Sequence, residues 1–213
     1  MRTRKKTRTI SYVILNHIVN NLKEYFSVIL VFFIGIIIGV IFINNSSENQ
    51  VLQIQDYINN FMSDLKECGN IDRPALLLQT FLNNLYLILA LWIAGSTVVG
   101  IPVVYAIVAY KGFCLSYTIS SSIITLGTWR GILFSISSML FQNLIYIPCL
   151  FALAVSGIRL YKSIMKDKRQ ENIKLEIVRH IMFSLLVGGI MLLGTVVETY
   201  ISTNLIVWFV NSI

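Results

Sequence analysis

Chemistry in this chain would have to come from a few polar residues set in long apolar runs. Glu198 stands in "LLGTVVETYIS" (192–202), within a stretch from Ile181 to Val210 that is otherwise apolar, small or hydroxylated. Gln142 and Asn143 sit side by side in a second run, Tyr146 follows Gln142 by one turn, and Lys111 interrupts a third. Polar and ionisable groups inside a membrane are costly, so they face protein or water and mark either hydrogen-bonded ties or ion paths. Ionised, Glu198 needs water or a donor, which Gln142, Asn143, Arg130 or a serine of 116–122 could supply; protonated, it can itself donate. We group Glu198, Gln142, Asn143 and Lys111 as a candidate intramembrane polar site, with a structural tie and an ion-coupling or partner role both open. Nothing else has catalytic or ligand spacing. There is no H-E-x-x-H, G-x-S-x-G or P-loop, and no pair of carboxylates within an apolar run. Cys114 and Cys149 lie in apolar runs as small hydrophobes, Cys68 lies alone in a polar segment, and His17 and His180 each precede an apolar run on a basic flank. We therefore expect no enzyme, no metal and no cofactor.

The elements that must position these residues are membrane spans. Of 213 residues, 56% are hydrophobic and only 13% charged, against about 25% charged in soluble domains; the mean hydropathy is +0.74. The reading is all-α: one polytopic helix bundle of about five transmembrane helices with an extracytoplasmic amphipathic helix. Residues 25–43 form the first span, long enough for a ~30 Å core. Residues 81–110 form the second, weakened at Gly100 and Pro102. Lys111-Gly112 is read as a break. Residues 113–126, short and rich in serine, form a third span that is tilted or re-entrant. Residues 132–158 form the fourth and 181–201 the fifth, with 202–213 folding back as an interfacial segment. On this reading Glu198 lies about 26 Å beyond Ile181, near the outer boundary.

Charge sets the orientation. Residues 1–24 carry six Lys/Arg and one acid, residues 159–179 seven and three, and residues 44–80 two and five. Positive-inside then places the N-terminus and the basic loop 159–180 in the cytoplasm and 44–80 and the C-terminus outside. The basic tail reads as a juxtamembrane anchor on anionic lipid, not as a nucleic-acid site.

Outside the spans, residues 47–68 have apolar positions at 3,4,3,4 spacing: Val51, Ile54, Ile58, Phe61 and Leu65. Ser47 and Gln50 have capping-box spacing, and Asp72 with Pro74 marks a fresh helix start. The stripe of Ile54, Ile58, Phe61, Met62 and Leu65 could seat a lid on the bundle or dock a partner. Gly35 with Gly39, and Ser184 with Gly188, have the small-xxx-small spacing that lets helices approach closely, within the fold or in a homodimer.

The order of these features resembles the stage II sporulation protein M family, over essentially the whole chain. The resemblance rests on the basic segment before the first span, "YKGFCLSYTI" (110–119), "LFQNLIYIPCLFALAVSGIRL" (140–160) and "LLGTVVETYIS". The family's Lys/Arg-Gly-Phe turn, polar-to-proline stretch and late glutamate would fall at Lys111–Phe113, Gln142-Asn143 through Pro148, and Glu198. More distant members carry a His-Gly…Glu pattern where this chain has Gln142-Asn143. The resemblance implies a non-enzymatic scaffold on the mother-cell side of the sporulation septum. It would recruit two peptidoglycan-remodelling enzymes, sporulation proteins D and P, for engulfment of the forespore. The alternative is a small channel or transporter subunit using Glu198 and the polar residues of 113–126.

Overall fold

The computed structural model describes residues 19, 21–67, 72–97, 100–166 and 173–211. The chain builds α1 (Leu22–Asn44), α2 (Glu48–Glu67), α3 (Arg73–Ser96), α4 (Gly100–Leu126), α5 (Thr128–Ser135), α6 (Phe141–Lys166), α7 (Ile173–Val197) and α8 (Thr203–Asn211). A π-helical turn, Ile136–Leu140, joins α5 to α6, and another, Glu198–Ser202, joins α7 to α8. Five segments are long and apolar enough to cross a membrane: Leu22–Asn44, Arg73–Gly95, Gly100–Leu126, Gln142–Ile164 and Leu175–Val210.

The break between the second and third spans falls elsewhere than at Lys111-Gly112. The second span ends at Ser96, and Thr97 is extended at φ −106° and ψ 156°. The third starts at Gly100 and runs 27 residues without interruption. Pro102 sits in its first turn, where a missing N–H leaves no bond unmade. The segment 113–126 is thus the second half of a full-length span, not a short or re-entrant one. Lys111 moves from a turn to the interior of α4, 11 residues or about 16 Å from its start. The last span also differs: α7, the π turn and α8 form one continuous helical path, and 203–211 does not fold back. Val197 and Thr203, which flank the π turn, keep right-handed helical backbone.

Local signals that did decide the ends are visible. Gln50 Oε1 accepts from the Ser47 N–H at 3.0 Å, one half of a capping box at the start of α2. Asp72 Oδ1 accepts from the Ala75 N–H at 3.2 Å to start α3. Gly127, at φ +82°, makes the tight turn between α4 and α5, a backbone conformation open to glycine at little cost.

Residues of α6 from Leu153 to Ile158 are all buried, so this helix is the hub. Around it Val28, Phe32, Leu91, Val108, Val187 and Met191 complete a core drawn from α1, α3, α4 and α7. α1 and α4 run parallel, pairing Ser27 with Tyr105 through hydroxyls 2.8 Å apart and Phe42 with Phe113 edge to face. Between these pairs the backbones touch: a Cβ on Gly35 would strike the Ala109 carbonyl, and one on Gly39 the Ser116 hydroxyl. Ser184 is buried, and a Cβ on Gly188 would meet Ile88 of α3 at 3.4 Å. Both small-residue pairs therefore serve packing within the chain.

The two ends of the bundle differ. The loop end, near residues 159–180, carries ion pairs of Glu24 with Lys162 at 2.8 Å and of Glu176 with Arg179 at 2.8 Å. His180 is buried at 4% exposure, with its Nδ1 2.8 Å from Ser156 Oγ. Cys114 is half-buried and Cys149 buried; Cys68 and His17 lie outside the described residues. The opposite, cap end holds a second small core of Phe134, Phe209 and Val210, against which Met62 and Leu65 of α2 pack.

Candidate functional site

Glu198 lies inside the bundle because its helix does not stop there. Thirteen residues separate it from Asn211, about 20 Å of helix, and α8 is needed to reach the cap. The π turn begins at Glu198 itself; its freed carbonyl accepts from the Thr203 backbone N–H and, at 3.3 Å, from the Thr203 hydroxyl.

Around the carboxyl a hydrogen-bond chain crosses three helices. Asn84 Nδ2 of α3 donates to Tyr146 Oη of α6 at 2.8 Å, and Tyr146 donates to Glu198 Oε2 at 3.0 Å. The tyrosine ring is seated on Gly194, one turn before Glu198, where a Cβ would come within 2.6 Å of the ring. Asn84 is buried at 6% exposure, 11 residues into α3, which is near the middle of that 24-residue helix. Lys111 shares a cavity lining with Tyr146, which bonds Glu198, and makes no ion pair with Glu198 among the described residues. Lys111, Asn84, Asn143 and Tyr146 line a small cavity of about 50 Å³ together with Phe32, Leu87 and Met191. That space admits a bridging water, and Asn143 Nδ2, buried and without a partner, is a donor facing such a need.

Of the four residues grouped from sequence, the structure thus brings Glu198, Asn143 and Lys111 to one region. Gln142 is half-buried on α6 and is not among the residues lining the cavity. Asn84 was missed. Its signal was a second asparagine, after Asn83, in an apolar run with no charge to place it. The arrangement can hold a compensated charge pair and a hydrogen-bonded tie among α3, α4, α6 and α7; among the described residues no cluster of His, Cys, Asp or Glu could hold a metal.

The candidate docking stripe is divided by the fold. Ile58 is buried, and Met62 and Leu65 pack on the second core, so these three seat α2 on its own bundle. Ile54 and Phe61 line a cavity beneath α2. Leu52, at 56% exposure, is turned outward, while Tyr57, at 75%, and Phe61, at 39%, stand at the exposed rim of that cavity. An amphipathic helix beside an unfinished apolar bundle covers that bundle first, which is why its stripe faces inward.

Five apolar crossings, a polar tie between them and a helical cap at one end define a multi-pass, all-helical membrane protein. The family model of stage II sporulation protein M matches residues 28–203. The chain belongs to that family, and it is a sporulation-related membrane protein. No curated protein and no solved structure matches it.

Proposed function

We propose that the protein is a non-enzymatic membrane scaffold that recruits peptidoglycan-remodelling enzymes, of the kind of sporulation proteins D and P, to the septum for engulfment. The observation that carries this reading is α2. It lies outside the apolar spans, is anchored by Ile58, Met62 and Leu65, and keeps Leu52 turned outward and Tyr57 largely exposed at the cavity rim. An aromatic anchor on a rigid, exposed helix suits protein recognition. Positive-inside places this face outside the cytoplasm, where the cell wall lies. The test is affinity capture of the tagged protein from sporulating cells with crosslinking. Wall hydrolases should co-purify, and Leu52→Asp with Tyr57→Asp should lose them at unchanged protein level and fold. Absence of any wall enzyme from the unmodified protein would overturn the scaffold.

A second reading has its own observation, the small cavity with Lys111 and the unpartnered Asn143 donor beside Glu198. As a channel or transporter subunit the protein would move a small ion through this point. Proteoliposomes should then show a flux that Glu198→Gln removes; no flux from the unmodified protein eliminates it.

A further inference from the structure

Beneath α2 the bundle leaves a cavity of about 680 Å³, within the ~300–1,000 Å³ usual for small-molecule sites. It lies at the edge of the apolar spans, among the last turns of α1 and α4, where a bilayer places its ester region. Phe42, Ile58, Phe134 and Met139 make its walls apolar. One face of α4 contributes Thr118, Ser121 and Ser122. Thr118 and Ser122 turn their hydroxyls back to their own helix, onto the carbonyls of Cys114 and Thr118 at 3.0 and 2.8 Å. Ser121 does not. It is 4% exposed, it lines the cavity, and its Oγ has no partner. A buried hydroxyl left in this state is costly, so a ligand that accepts from it is favoured.

Charge narrows the ligand. Among the described residues no Asp, Glu, Lys or Arg lines the cavity, and the polar residues on its exposed side, Ser46, Gln50 and Gln53, are neutral. A phosphate headgroup drawn in here would lose water and meet no cation. A hydroxyl headgroup would meet amides and a serine.

We propose that this cavity binds one neutral glycerolipid of the diacylglycerol type. An acyl chain lies against Phe134 and Met139, and Ser121 rotates its sealed, unpartnered hydroxyl into the cavity to donate to an ester carbonyl. The glycerol hydroxyl faces Gln50 and Gln53. The site does not depend on ion conduction, and it shares only Tyr57, at its rim, with the face proposed to recruit wall enzymes.

The test uses the full chain in nanodiscs doped with a trace of diacylglycerol carrying a diazirine on its acyl chain. Crosslinks are mapped by peptide mass spectrometry. Label is expected within residues 42–61 and 117–139, competed by unlabelled diacylglycerol. Ser121→Ala should lower it about five-fold, the equivalent of one hydrogen bond, with an unchanged melting temperature. Met139→Trp, which narrows the cavity where the acyl chain lies, should lower it as well. Equal labelling of the same peptides by a phosphatidylglycerol probe with the same diazirine chain would overturn the proposal. So would label spread evenly over the lipid-facing helices, no response to Ser121→Ala, or a cavity occupied by a second copy or a co-purified protein instead of lipid.

Discussion

Along α1 and α4 backbone meets backbone; a Cβ on Gly35, Gly39 or Gly112 would strike the facing helix. Under α2 a few side chains rest on the bundle over a cavity of about 680 Å³. The difference follows from the surroundings of each. Between spans there is no hydrophobic drive, since lipid tails are as apolar as leucine, so association depends on close fit and on internal hydrogen bonds. The cap lies at the water's edge, where burying Ile58, Met62 and Leu65 holds it without close packing. The seam is built to be permanent and the cap to be adjustable.

The sharpest way to break this contrast is Gly112→Leu, which drives a side chain into the Phe32 carbonyl. It should destabilise by more than about 3 kcal/mol, read as loss of the monodisperse peak on gel filtration in mild detergent. A normal profile would mean the seam tolerates separation. Tyr146→Phe should come next, because it removes the hydroxyl between Asn84 and Glu198 and leaves both short of a partner. A loss of about 1–3 kcal/mol is expected in thermal melting; no change would deny the chain its role as a tie. Ile58→Asp should leave the spans folded but release the cap. Giving up about 1.5 kcal/mol of burial raises the open population about tenfold, seen as faster proteolysis within 48–67. Equal protection would show that the cap is held by something other than its stripe. Smallest of all, Tyr57→Asp should change stability by less than about 0.5 kcal/mol and act only on recruitment. A large loss of stability would mean that this residue also belongs to the seat.

The elements of the fold that were legible in the sequence carry strong local signals. α1 is an unbroken apolar run, α2 has its 3,4 spacing and capping box, and Asp72 with Pro74 starts α3. What was misread came from treating polar residues as markers of the surface. Lys111-Gly112 looked like a turn, yet inside a bundle glycine is where another helix comes close and lysine is where a carboxyl needs an opposite charge. The hydroxyls after Glu198 looked like the end of a span, yet Thr199 and Thr203 return their hydroxyls to backbone carbonyls of their own helix. Such bonds satisfy a polar side chain without water. Tyr146 was visible as a neighbour of Gln142, whereas its link to Asn84 depends on how α3 and α6 pack, which no local pattern encodes.

The two π turns pack against each other, one in the α5–α6 path and one between α7 and α8. A π turn carries one residue more than the α-helix would at that point. Removing a single residue from 198–202 would let the path close as an ordinary helix, with every local bond satisfied. The wider turn winds less per residue, so it absorbs the extra residue and α8 keeps the phase that sets Phe209 and Val210 against Phe134. Length in this segment is therefore a form of information. It widens the turn that holds Glu198 without turning the face that closes the cap end, and a deletion there should act on the polar tie while the cap end stays seated.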